Sequence, residues 1–364
     1  AFQDHPTVIA FKGSFHGKSA SALKVTFNKS YREGYQGLSA IHGVFIDPAE
    51  TGRIPEIMEA NQSLFYHPAL VEGRVELLPC AITRVIGLIF EPILGEGGIV
   101  PLPESALEDL AANHARWGLP YIVDEIQTGC GRTGSFFHYE QTPLKNIEPE
   151  YLLLSKALGG GLVKIGAGLI RKDIYDQDFG ILHTSTFGED DLSSAVALSF
   201  IGLLQENDGA MLKEVALKGA ELKTALESLR REFPALIKEV RGKGLMIAVE
   251  FTDLAGTSPF FRLSGKQGIL SLLVASYLLE HHGLRLLAPL TTMLKGNPGK
   301  VRKSILRIQP PVGITPEHIR RLVEGLREVL RVIEANNEYC LIAHLFGGAA
   351  EADERRSPRR YENA

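Results

Sequence analysis

Two ionisable residues each close an apolar run in the middle of the chain. Tyr121-Ile122-Val123 stops at Asp124, and Tyr151-Leu152-Leu153-Leu154 stops, one serine later, at Lys156. Short buried strands that end on a charge set that charge at the carboxyl edge of a sheet, where open α/β folds take their ligands. Gly159-Gly160-Gly161 beside Lys156 lets a backbone or a ring come close, and partial desolvation would lower the pKa of the amine enough to make it nucleophilic. An amine nucleophile plus an acid that could keep a pyridine nitrogen protonated is the minimum set for pyridoxal phosphate chemistry. The same spacing also suits a lysine that merely flanks a glycine turn.

The flanking pattern predicts the elements that must carry these two groups. Strands are expected at 7–11, 82–91, 119–124, 151–155 and 166–170, with an amphipathic helix from Pro103 to Trp117 between two of them. Such alternation implies parallel strands joined by right-handed crossovers. Residues 31–52 read as mixed loop and 55–70 as weakly helical. A turn at 183–190 opens a long apolar helix that Asp190 or Asp191 can cap. Composition shifts near Glu206, after which helices at 209–233, 267–282 and 316–335, hairpin-like strands at 240–251 and a strand at 304–309 describe a smaller α+β region. The expected organisation is a large domain over 1–205, a small one over 206–346, and a disordered tail over 347–364.

Gly129-Cys130-Gly131-Arg132-Thr133-Gly134 fits the GxGxxG spacing of dinucleotide sites. Its context does not: Glu125 to Thr128 separate it from the strand, aromatic and polar residues follow it, and Leu154 stands where a ribose-binding acid is needed.

Composition excludes several classes. A net charge of -4 over 364 residues, with 23% charged residues, gives no bias toward nucleic acid. The three cysteines, Cys80, Cys130 and Cys340, are too few and scattered for a disulfide framework or a zinc site, which favours a reducing, cytoplasmic setting. No apolar run is long enough to span a bilayer, so no membrane partner is expected. The strand at 7–11 begins almost at the first residue, which suggests that an N-terminal part of the domain is missing.

Several motifs together carry a family resemblance. SFHG, EPILGEGG, DEIQTGCGRTG, SKALGGG, TSTFG, VRGKGL and LRIQPP stand in the order and at the separations found in class III, or ω-type, aminotransferases, and the match covers nearly all of residues 7–335. REFPALIKEVRGKG most resembles the branch acting on putrescine, other terminal amines and ω-amino acids. The resemblance implies an α/β fold-type I pyridoxal phosphate transferase, with a mostly parallel sheet flanked by helices and a smaller α+β C-terminal domain. It implies ping-pong transfer of an amino group between an amine or amino acid and a 2-oxo acid such as 2-oxoglutarate or pyruvate. Lys156 would be the Schiff-base lysine and proton carrier, and Asp124 the partner of the pyridinium nitrogen. Gln127 would bond the phenolic oxygen, Phe15 would stack on one ring face with His16 beside it, and Ile126 would pack on the other. Thr186 would hold the cofactor phosphate across a homodimer interface.

On the substrate side, the resemblance implies that Glu96 pairs with Arg307 and releases it when a carboxylate arrives. Glu91 would line the same region or support the site near the cofactor's oxygen. Departures from the family pattern are Leu94 in place of glutamine, Lys164 in place of proline, and Glu189-Asp190-Asp191 after TFG, whose acids would repel a phosphate nearby. The family's phosphate-cradling loop, normally upstream of FHG, has no copy here, so weak cofactor binding is expected of the chain as it stands. Alternatives are a same-fold aminomutase, racemase or decarboxylase, an inactive homologue serving as a structural partner, or a nicotinamide enzyme resting on the glycines at 129–134.

Overall fold

The computed structural model describes residues 5–288 and 303–346, apart from positions 36, 38, 184 and 187. It divides into two compact units. One comprises Ala1–Glu221, Arg241–Ile247 and Pro310–Val312, the other Leu222–Val240, Ala248–Gln309 and Gly313–Ala364. The tail expected to be disordered, 347–364, lies outside the described residues.

In the first unit the strands are β1 (Thr7–Phe11), β2 (His42–Ile46), β3 (Gln62–Val71), β4 (Arg74–Thr83), β5 (Val85–Phe90), β6 (Ile93–Leu94), β7 (Val100–Pro101), β8 (Tyr121–Asp124), β9 (Tyr151–Leu154) and β10 (Ala167–Ile170). Six of them form one sheet in the order β10-β9-β8-β5-β1-β2. Every neighbouring pair is parallel except β10 with β9. Parallel strands are covered on both faces, which is why β1, TVIAF, is apolar almost throughout and wholly buried. The helix Glu104–Trp117 buries Ala106, Leu107 and Leu110. Leu107 and Leu110 join Leu88, Phe90, Tyr121 and Val123 in the main core.

Two expectations fail in the region 31–83. The mixed stretch contains β2, an edge strand whose residues are mostly half-exposed and so lack a clean apolar pattern. The weakly helical stretch splits into a helix, Ile54–Ala60, and β3, because ten register pairs with β4 override a weak local helical preference. Register puts Leu64, Tyr66, Pro68 and Leu70 opposite Ala81, Pro79, Leu77 and Val75, an apolar face left largely exposed.

The long helix Asp191–Glu232 is interrupted at 206–209, where Asn207, Asp208 and Gly209 take left-handed backbone angles. This is where the composition shifts. Asp190 caps its start: Oδ2 accepts the Ser193 backbone N–H at 2.7 Å.

The second unit holds most of a three-stranded sheet, β11 (Ile237–Lys243), β12 (Met246–Phe251) and β13 (Ile305–Ile308), whose hairpin tip counts with the first unit. Helices Leu270–His282 and Pro316–Glu334 pack together there through faces that bury Val274 and Leu278 on one and Leu322, Leu326 and Val329 on the other.

Candidate active site

Asp124 is the last residue of β8 and is buried at 3% exposure. Its Oδ1 accepts the Ile126 backbone N–H at 3.1 Å, and its Oδ2 lies 2.8 Å from Nδ1 of His16. The His16 side chain is fully buried, and its Nε2 has no hydrogen-bond partner. Parallel register places Asp124 beside Leu153 of β9, so Lys156, three residues on, emerges at the same carboxyl edge. Adjacent parallel strands therefore bring acid and amine to one end of the sheet, as the two apolar runs imply.

Lys156 itself carries a correction. It is exposed, so this chain alone does not supply the desolvation that the neighbouring glycines suggest. Its backbone is unusual: φ is +44°, a left-handed conformation that costs a non-glycine residue about 1–2 kcal/mol. Strain of this kind persists only where surrounding structure dictates it, and it concentrates at functional positions.

Glu91, just past β5, ties two loops together. Its Oε1 accepts the Phe15 N–H and its Oε2 the Gly95 N–H, both at 3.0 Å. Gly95 is a close-approach glycine, because a Cβ there would lie 2.3 Å from Oε1 of Gln127. One buried carboxylate thus sets the Phe15 loop and the surface on which the Gln127 amide rests. Phe15 meets the Tyr31 ring edge to face at 5.8 Å, and the Tyr31 hydroxyl donates to Glu96 at 3.1 Å. Tyr31 falls in a stretch that reads as loop, where no spacing singles it out.

Burial raises the Glu91 pKa to about 7. The His16 charge opposes this rise, Asp124 adds to it, and the two backbone N–H bonds oppose it. Above pH 4.5 an unfolded Glu91 has lost a proton that the folded one keeps until about pH 7. Its contribution to stability is therefore complete below pH 4.5 and is lost as pH rises through 7, a change of about 3 kcal/mol. Denaturant unfolding at pH 5 and pH 8 should show a smaller pH difference in Glu91→Gln than in the wild type. An equal difference in the two proteins would contradict this assignment.

Sequence spacing passes over Glu125. It is buried beside Asp124, and Oε1 accepts the Tyr139 N–H at 2.8 Å while Oε2 accepts the Thr128 hydroxyl. Two adjacent acids closing a buried strand are themselves a signal, since alternation sends their side chains to opposite sides. The glycines that follow form a packed turn: a Cβ on Gly134, at φ +91°, would lie 2.9 Å from that of Ala216. No helix opens at this turn, so the glycines lack the phosphate-facing terminus of a dinucleotide site.

Thr186 is exposed in the segment before the Asp190 cap, with Thr184 and Phe187 of the same motif outside the described residues. Arg307 is buried on β13 in the second unit.

The order of motifs and this sheet edge agree with a comparison against sequence families, in which residues 2–330 match Aminotransferase class-III. The chain belongs to the class III aminotransferase family. Members of that family are pyridoxal-phosphate-dependent transferases of fold type I, and this chain is one of them. Solved structures show the same fold at low identity. The ornithine aminotransferase of Toxoplasma gondii is 24% identical with a TM-score of 0.67, over 92% of this chain and 67% of its own. An (S)-enantioselective omega-transaminase from Thermomicrobium roseum is 23% identical with a TM-score of 0.67, over 90% and 68%. N-acetylornithine aminotransferase from Stenotrophomonas maltophilia is 24% identical with a TM-score of 0.60, over 92% and 68%. A second structure of the Toxoplasma enzyme is described with partial occupancy of PLP at its active site.

The residues present suit the ring end of pyridoxal phosphate. A buried acid matches a protonated ring nitrogen, an amine matches an aldehyde, and the orphaned Nε2 of His16 is a buried polar atom awaiting a partner. The Gln127 side-chain amide rests against Gly95, near the same sheet edge.

Proposed function

We propose that this aminotransferase takes its amino group from a terminal amine or ω-amino acid and passes it, by a ping-pong mechanism, to a 2-oxo acid such as 2-oxoglutarate or pyruvate. The observation that carries the site is the shared sheet edge of Asp124 and Lys156. The REFPALIKEVRGKG resemblance and the GEGG and RIQPP motifs support the substrate class.

Pyridoxal phosphate, when bound, supplies an aldehyde and an electron-withdrawing ring. Lys156 Nζ would be the nucleophile that holds it and the base that moves a proton from the substrate carbon. Asp124 would hold the proton on the ring nitrogen, and its own position is fixed by His16 and the Ile126 N–H. Phe15 and Ile126 would confine the ring between them, and Gln127 would bind its oxygen. Glu91 fixes the Phe15 and Gly95 loops from behind. The GEGG and RIQPP motifs assign Glu96 and Arg307 to recognition of a substrate carboxylate.

The functional unit in this reading is a homodimer in which Thr186 reaches the partner's phosphate. Leu162, Ile181, Leu182, Leu192 and Leu198, all large, apolar and strongly exposed, support a covered face around that segment. A cytoplasmic location fits the cysteine usage, and no described helix is long and apolar enough to cross a membrane.

Half-reactions with a panel of diamines, ω-amino acids and α-amino acids, followed through cofactor absorbance, test the substrate assignment. Conversion by putrescine-like amines and reversal by a 2-oxo acid support it. Conversion by α-amino acids alone would remove the terminal-amine reading.

A further inference from the structure

We infer that Glu125 is a positioning residue that sets where Ile126 and Gln127 meet the cofactor ring. This rests on the proposed roles of Ile126 and Gln127, but not on the identity of the amine. The turn carrying those two residues runs from Asp124 to Gly129 and is fastened at both ends by Glu125. Its backbone N–H pairs with the Leu153 carbonyl of β9 at 3.0 Å, and its carbonyl accepts the Gly129 N–H at 2.9 Å.

The side chain then fixes the turn against the next loop. Oε2 takes the Thr128 hydroxyl, Oε1 takes the Tyr139 N–H at 2.8 Å, and the Thr128 carbonyl accepts the Thr133 hydroxyl at 3.0 Å. The Thr128 hydroxyl and the backbone N–H groups of Tyr139 and His138 are all donors, so the ionised group fits them without a mismatched pair. Glu125 is 1% exposed, and burial raises its pKa to about 7 against the hydrogen bonds of Thr128, Tyr139 and His138. His138 is itself held uncharged near neutral pH, its pKa lowered to about 4 by burial and by Lys243. The titratable groups facing Glu125 are thus Asp124 at the end of β8, Cys130, buried after it, and the Tyr139 phenol.

A residue acting only on fold stability and one acting on the ring differ in what they change per bound cofactor. The experiment compares Glu125→Ala, Thr128→Val and Thr128→Ser at pH 8 in the holoenzyme. It measures affinity for pyridoxal phosphate and turnover per bound cofactor at that pH and, in a separate pH titration, the pH at which the bound cofactor's absorbance changes.

Glu125→Ala is expected to bind roughly 10-fold more weakly, to shift the absorbance transition and to lose up to about 100-fold in turnover per bound cofactor, since an ångström of misplacement at a reacting centre costs about that much in rate. Thr128→Val, which strips the carboxylate of one donor, should move the same readouts in the same direction. Thr128→Ser keeps the hydroxyl and should restore them. If Glu125→Ala fails to fold, the valine and serine pair decides alone. A lower melting temperature with affinity, transition pH and turnover at wild-type values would overturn the inference. If borohydride labels Lys156 in the wild type, such a result removes the Glu125 role and leaves the proposed chemistry standing.

Discussion

Lys156→Ala should abolish turnover, with a loss of at least about 10,000-fold, because one substitution removes both the nucleophile and the proton carrier. The fold should survive. Lys156 is exposed, and alanine keeps its backbone conformation and Cβ. Melting temperature is therefore expected to stay within a few degrees of the wild type. Reduction with borohydride in the presence of pyridoxal phosphate, followed by peptide mapping, should label Lys156 in the wild type and leave the variant unlabelled. A small added amine should restore part of the proton transfer by entering the space the side chain leaves. Label on a different lysine, or turnover by the variant above one per cent, would remove Lys156 from its assigned role.

Asp124→Asn is the second large effect. Asparagine preserves shape: its Oδ1 can still accept the Ile126 N–H, and its Nδ2 amide takes the place of Oδ2 and pairs with His16 when the imidazole is the tautomer whose Nδ1 accepts, so the geometry around β8 should hold. What it removes is the negative charge expected to keep the ring nitrogen protonated. Loss of one preorganised electrostatic partner costs about 100- to 1,000-fold in kcat. Affinity for the cofactor should fall less than turnover, because the lysine, the stacking residues and Gln127 remain. An analogue methylated on the ring nitrogen carries its positive charge permanently, so the variant should lose much of its deficit when loaded with it. Equal impairment with both cofactors would show that Asp124 acts through structure instead.

The candidate site was legible in unequal parts. Asp124 and Lys156 stood out because a strand interior tolerates no charge, so an acid at the end of IVD and a lysine just past LLL mark the edge of a buried sheet. The seven motifs supplied the remaining candidates, Phe15, His16, Glu91, Glu96, Ile126, Gln127, Thr186 and Arg307. Glu125 and Tyr31 escaped for different reasons. Glu125 has meaning only through the Tyr139 and Thr128 donors that the next loop folds back to it. Tyr31 acquires its contacts with Phe15 and Glu96 across 16 and 65 residues of chain. The exposed hairpin β3–β4 was missed because its ladder is settled by pairing between strands, which local propensity does not encode.

By itself the sequence determined the α/β class, the edge on which acid and amine stand, and the class of chemistry they serve. Those depend on hydrophobic period and on short motifs, both of which are local. Tertiary structure decided that His16 joins Asp124 across 108 residues, that one carboxylate at Glu91 ties the Phe15 loop to Gly95, and that Lys156 is left exposed at the sheet edge. Burial and hydrogen bonding of this kind are set by which distant segments the sheet order places side by side, and the order β10-β9-β8-β5-β1-β2 does not follow the order of the chain.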